Sequence, residues 1–287
     1  MNIIFQINGG LGKSVMATAV CKSIKAKYPE SKLIVISAHP DVFINNPNVD
    51  RCLRFNELKY FYKEYIDNQE FMFIGQEPYQ TDEYSHNTSH LTKIWCDLHQ
   101  LPFVQEHGEL FLTKREMDFY SRKYTFNKPI LVLQTSGNAG DMMYNWGRDI
   151  PLSLVNSIVK KFGATHDIVH IKDEKQMSYD GVIPFTDNIR AVAAIISMSD
   201  KRIFMDSCCQ HISAALGLKS NVFWIATSPK VFGYESNNNI LANVETKSVS
   251  LQNAFLRKYE LVPDIIDFPY NDDSEIFNIN EVLNSII

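Results

Sequence analysis

Residues 3–37 run from an apolar strand over 3–7, through a glycine turn, Asn8-Gly9-Gly10-Leu11-Gly12, into a helix over about 13–28 and on to a second apolar strand, Lys32–Ser37. No other feature constrains the fold as much. A strand, a helix and a second strand make a βαβ unit, in which the strands lie parallel and the crossover is right-handed. A parallel sheet needs cover on both faces, so the rest of the chain must supply helices. The first helix keeps helical spacing at Val15, Met16, Ala19, Val20 and Ile24, and Pro29 ends it.

The first half continues with a short strand over 51–55, a Tyr- and Lys-rich stretch over 57–65, a buried-type strand Phe71–Ile74 and a helix over 86–101 around Trp95. The stretch 114–128 reads as a linker. The alternation then restarts near Pro129. A strand, Ile130–Gln134, leads into a polar, glycine-bearing loop over 135–141 and a helix over 151–162. A strand over 168–171, a helix Ile189–Met198, a strand Lys201–Met205, a short helix over 210–216 and a strand over 221–225 follow. The expected fold is α/β, with two Rossmann-like domains facing a central cleft: residues 1–125 and residues 126–287. A final helix over 279–287 has the option of packing back on the first domain. In such folds ligands bind beyond the carboxyl ends of the strands, in the cleft.

At 287 residues, 45% of them hydrophobic, the chain can bury a core without disulfides or metals. The net charge of -5 supplies no global basic field for nucleic acid or an anionic membrane. The local groups Lys22, Lys25 and Lys27, and Lys114, Arg115, Arg122 and Lys123, read as solvated helix faces. Cys21, Cys52, Cys96, Cys208 and Cys209 are odd in number and contain no C-x-x-C pair, which fits free thiols in a reducing cytosol. The opening residues read as a strand and not as a signal peptide, and no apolar run approaches the roughly 18 residues of a membrane span. The expected location is cytoplasmic, without stable membrane insertion. Nothing in the sequence indicates an oligomeric state.

Asn8-Gly9-Gly10-Leu11-Gly12-Lys13-Ser14 follows a strand and opens a helix, the setting of a phosphate-binding loop. The ordinary spacing is missing, because Ile7 stands where the first glycine belongs. The segment resembles the deviant Walker motif of ParA-like ATPases, with Asn8 in place of their leading lysine. Such an ATPase also needs a buried strand ending in an acid for magnesium, and the candidate strands end in Ser37 and Gly75. A tight turn that only packs the helix on the sheet is the alternative.

Met205-Asp206-Ser207-Cys208-Cys209-Gln210-His211 carries a sharper signal. A strand ends at Asp206, Ser207 suits a helix N-cap, and His211 follows one turn on. Ala214, Ala215 and Gly217 let this helix approach a neighbour closely. A helix N-terminus with a histidine beside it suits a diphosphate. The next strand leads to Ala226-Thr227-Ser228-Pro229. Taken singly, each polar residue has a plain reading as a cap, a core histidine or a solvated turn.

Taken together, D-S-x-x-x-H-x-x-A-A-L-G followed by a strand and T-x-P resembles glycosyltransferase family 9, the heptosyltransferase-like enzymes of the GT-B fold. The opening Gly9-Gly10-Leu11-Gly12 with Met16-Ala17-Thr18 resembles the family's G-G-x-G-D-x-x-x-A-T-P segment, and Asn46-Pro47-Asn48 and Asn145-Trp146 have counterparts there. The resemblance implies a sugar transfer from a nucleotide-diphosphate sugar, as co-substrate, to an acceptor hydroxyl on a cell-surface glycan such as lipopolysaccharide. It implies no cofactor and no metal, the diphosphate being held by helix dipoles and cations. Asp206, Ser207, His211, Thr135, Ser136, Arg148, Asp173 and Thr227 would form the donor side. Asp173 and Glu174 follow the strand over 168–171, where an acid suits a ribose hydroxyl. Gly9, Gly10 and Gly12 would form the acceptor-side loop. The family's base is an aspartate where this chain has Lys13, so Lys13 and Asp41 are the catalytic candidates, with Asp82 and Glu83 as further acids. Three other readings stay open: transfer to a hydroxylated DNA base, a ParA-like ATPase using Gly12-Lys13-Ser14, and a non-catalytic nucleotide-sugar binding module.

Overall fold

The computed structural model describes residues 1–137, 144–243, 268 and 270–287. The first half comprises β1 (Asn2–Ile7), α1 (Leu11–Lys27), β2 (Lys32–Ser37), β3 (Arg51–Leu53), α2 (Phe61–Tyr65), β4 (Phe71–Ile74), α3 (Asp82–Ser85), α4 (Leu91–Leu98) and α5 (Lys114–Lys123). The second comprises β5 (Ile130–Gln134), α6 (Leu152–Phe162), β6 (Asp167–Ile171), β7 (Ile183–Phe185), α7 (Ile189–Met198), β8 (Lys201–Met205), α8 (Cys208–Ala215), β9 (Asn221–Trp224), α9 (Pro229–Phe232), β10 (Asn238–Leu241) and α10 (Ile279–Ser285).

The strands form two sheets, ordered β3-β2-β1-β4 and β10-β9-β8-β5-β6-β7, in which all pairings are parallel. Each sheet reverses direction once. The first runs outward from β1 through β2 and β3, then returns to place β4 on the other side of β1. The second runs from β5 through β6 and β7, then returns to place β8 beside β5. Loops diverge at such reversals and leave a crevice at the carboxyl ends of the two central strands.

The two halves share a core. Val15, Ala17, Val20, Cys21 and Ile24 of α1 join one apolar cluster with Ala191–Ile196 of α7 and with Cys209 and Ile212 of α8. Lys13 through Cys21 are all buried. The helix is therefore buried on both sides: one faces its own sheet and the other faces α8. A surface helix would show a single apolar stripe.

Three sequence expectations change. The stretch read as a linker contains α5, which Thr113 and Glu116 start with a reciprocal capping box. This helix packs on α7, and Arg190 of α7 donates to Glu116 at 2.9 Å. The helix expected over 86–101 is shorter, because His90 caps it with a side-chain bond from Thr92 N–H. The final helix packs on α6 of the second half, where Val282 joins Leu154 and Ile158. Residues 138–141 of the loop expected after β5 lie outside the described residues.

Candidate active site

Four loops meet between the sheets. They leave the carboxyl ends of β1, β4, β5 and β8, the strands that flank the two reversals. They line a cleft of about 1290 Å³ with Gly9, Gly10 and Gly12, Lys13, Glu77, Ser136 and Gly137, and Asp206, Ser207 and Cys208.

At the centre, the first turns of two helices, α1 and α8, lie against each other. Gly9 turns the chain at φ 105°, a conformation that needs glycine, and α1 begins two residues later. Gly12, in the first turn of α1, lies against the first turn of α8. A Cβ at Gly12 would lie 2.9 Å from His211 Cδ2 and 3.4 Å from Cys208 Cα. Neither helix is closed by the side chain of its N-cap residue, Gly10 or Ser207. First-turn amides have no partner within their own helix, and each helix dipole adds partial positive charge there. Two such ends lining one cleft suit an anion.

The walls of this space come from the second half. Arg148 donates from Nε and Nη2 to the Asp206 carbonyl, at 3.1 and 2.8 Å, which ties its loop to the β8–α8 turn. Asp206 is buried, and Gln210 donates to its Oδ1 at 3.2 Å. Burial pushes its carboxyl up, while Arg148 and hydrogen bonds from Thr227 and Gln210 pull it down. Ser207 occupies the cap position but accepts no bond from the helix. His211 is 4% exposed, and its Nδ1 meets the Tyr234 hydroxyl at 2.9 Å. Burial, with His90 and Arg148, brings its pKa down to about 3. It is therefore a neutral hydrogen-bonding group, not the source of positive charge that the sequence alone allows.

The first half contributes a cation and an acid. Lys13 is 7% exposed and forms an ion pair with Glu77, and its Nζ lies 5.0 Å from the Tyr79 ring centroid and 5.2 Å from that of Trp95. Burial lowers the lysine pKa and Glu77 opposes that shift. The Glu77 carboxylate alongside gives the buried ammonium a counter-ion. Glu77 is absent from the sequence expectation. It lies three residues beyond β4, and only the pairing of β4 with β1 brings it to the first turn of α1.

The other expected residues divide. Ser136, Asp173 and Thr227 line the cleft. Thr135 is buried, and its hydroxyl is engaged by His170 Nε2 at 3.0 Å and by the Tyr179 hydroxyl at 3.2 Å. Asp41 is not among the lining residues. It lies in a 3-10 turn with its side chain half exposed, 3.9 Å from Arg54. Asp82 and Glu83 are exposed on α3, outside the lining. Among the described residues no three His, Cys, Asp or Glu side chains cluster as a metal site, and no helix is long and apolar enough to cross a membrane.

No protein-family model matches the chain, and no curated protein sequence does. Solved structures do. A glycosyl transferase of family 9 from Veillonella parvula superposes with a TM-score of 0.67 at 12% identity, covering 99% of this chain and 95% of that one. The ADP-heptose lipopolysaccharide heptosyltransferase II of E. coli gives 0.66 at 10% identity, covering 91% and 98%. TibC of enterotoxigenic E. coli, an iron-containing dodecameric glycosyltransferase, gives 0.66 at 9% identity, covering 99% and 77%. The shared feature is the fold, the two-sheet arrangement of GT-B glycosyltransferases.

Proposed function

We propose that this chain is a glycosyltransferase that takes a sugar from a nucleoside-diphosphate donor and passes it to a glycan hydroxyl. One observation carries the reading: the first turns of α1 and α8, neither closed by its own N-cap side chain, lie against each other and line one cleft at the reversal points of two parallel sheets. The diphosphate occupies that space, against the amides of Gly12 and Cys208, with His211 and Arg148 beside it. Asp173, which lines the cleft past the end of β6, takes the ribose in this reading. These groups and Lys13 balance the diphosphate charge in this proposal, so no metal ion is assigned to the site.

In the transfer, the acceptor hydroxyl gives its proton to a Glu77 carboxylate oxygen as the hydroxyl oxygen bonds to the anomeric carbon. The bond from that carbon to the diphosphate breaks, and the electron pair leaves with the nucleoside diphosphate. The two helix ends stabilise the leaving charge without reorganising. Glu77 thus takes the part for which Lys13 and Asp41 were the sequence candidates, and Lys13 becomes its electrostatic partner. The glycan acceptor is the choice that the lipopolysaccharide enzyme among the structural neighbours favours.

The ATPase reading loses its magnesium ligand. Ser14 is fully buried, 3.2 Å from the Ser37 hydroxyl and 3.4 Å from the Gly10 carbonyl, so its oxygen is turned into the core. Calorimetric titration with ADP, UDP and GDP, and with ATP, each with and without magnesium, tests the proposal. One nucleoside diphosphate binds without metal, and His211→Ala weakens it. Binding of magnesium-ATP alone, indifferent to His211, overturns it.

A further inference from the structure

Tyr234 lies in neither signature segment. It is 4% exposed, 23 residues from His211 in sequence, and held between two imidazoles. The His90 ring, from the first half, lies 5.3 Å from it at 44°, and the His211 ring lies 5.8 Å from it at 88°. Among the described residues, His211 Nδ1 is the one hydrogen-bond partner of the Tyr234 hydroxyl.

Two proton arrangements fit the 2.9 Å contact. If His211 Nδ1 carried the hydrogen and donated it, the buried tyrosine O–H would have no acceptor. If the tyrosine donates, Nδ1 accepts and both groups are satisfied. The second arrangement places the remaining imidazole hydrogen on Nε2. That nitrogen makes no hydrogen bond among the described residues and is not sealed from solvent. It is bonded to Cδ2, the atom nearest Gly12. His211 lines the cleft, so Nε2–H is the open hydrogen-bonding group that this ring offers there.

We infer that Tyr234 is a positioning residue: its hydroxyl holds His211 in the Nε2–H tautomer and aims an uncharged donor at the phosphate site. The inference rests on the proposed function for its ligand, but the tautomer can be read without one. A neutral donor suits this place. It adds a hydrogen bond to the diphosphate without adding charge beside Arg148 and Lys13, and its buried partner fixes the ring before the donor arrives.

Long-range proton–nitrogen correlation on protein labelled with 15N-histidine tests the assignment in the wild type. At neutral pH the His211 nitrogens should show a protonated Nε2 and a bare Nδ1. The reverse pattern overturns the inference without any variant. In Tyr234→Phe, the two tautomers should mix, and the affinity for whichever of ADP, UDP and GDP binds the wild type should fall roughly tenfold, the loss of one aligned hydrogen bond to a charged group. An unchanged Nε2–H tautomer with unchanged affinity in Tyr234→Phe also overturns it. If none of the three nucleotides binds the wild type, the functional reading fails while the nitrogen spectrum still decides the tautomer.

Discussion

Gly12 and His211 belong to different halves of the chain, yet a single methyl group added to Gly12 would come within 2.9 Å of the imidazole. This approach brings the two helix ends into one site. Gly12→Ala should therefore disturb binding more than folding. Overpacking of this kind costs about 1–3 kcal/mol. The expected result is a modest fall in the thermal midpoint with at least a tenfold loss of nucleoside-diphosphate affinity. Full affinity in a stable Gly12→Ala protein would show that the helix ends do not hold the ligand.

Glu77→Gln separates chemistry from binding. The glutamine keeps the shape of the side chain and loses the base, so turnover should fall by about two orders of magnitude or more while donor affinity stays within a few-fold. The change also leaves Lys13 buried without its counter-ion, costing about 2 kcal/mol of stability. Lys13→Met combined with Glu77→Gln should recover part of that loss in urea melts. Equal losses from the double variant and the sum of the singles would mean that the pair is not coupled.

Three buried histidines set the acid side of the stability curve. Burial lowers His211 to about 3, and His90 and His170 to about 4, from an ordinary value of 6.5. Below about pH 6.5 the unfolded chain takes up protons on these residues that the folded chain refuses. Stability is therefore full above that pH and declines toward pH 4, by up to about 1.4 kcal/mol per pH unit for each histidine. Urea unfolding at several pH values measures the slope, and His170→Asn should flatten it. A slope that the variant does not change would contradict the burial.

Cys208 should be the reactive thiol. It lines the cleft at the start of α8, and hydrogen bonding to Cys209, Gln134 and Ser207 with nearby Arg148 brings it down to about 7 against the opposing effect of burial. Burial holds Cys52 up at about 12 and raises Cys21 and Cys96, and Cys209 is raised by Cys208 and by burial. Iodoacetamide at pH 7.5 should label Cys208 first, and a bound nucleoside diphosphate should slow the labelling. Peptide mapping that finds Cys52 or Cys21 modified earlier would contradict this assignment.

Local periodicity and turn chemistry made much of the fold legible. Strand β2 and helix α7 fall on the residues expected, since an apolar run and a small-residue helix need no distant information. The Thr113–Glu116 capping box is readable in the same way, yet the charged stretch after it reads as a linker, because its cover by α7 comes from 74 residues away. Strands β7 and β10 carry Pro184 and Asn238-Asn239, and only edge positions in the sheet make those residues acceptable. The cleft lining is legible at Asp206 and His211, where strand, cap and helix are contiguous. Glu77 and Tyr234 were not, since each reaches its partner through tertiary pairing alone.

A crystal structure of the chain with the best-binding nucleoside diphosphate tests the central claim most directly. The diphosphate should lie between the Gly12 and Cys208 amides, within hydrogen-bond distance of His211 Nε2, with the nucleoside directed past Ser136 toward Asp173. A nucleotide wrapped instead by Asn8–Ser14 alone, with a magnesium ion at Ser14 and no contact to α8, would contradict it.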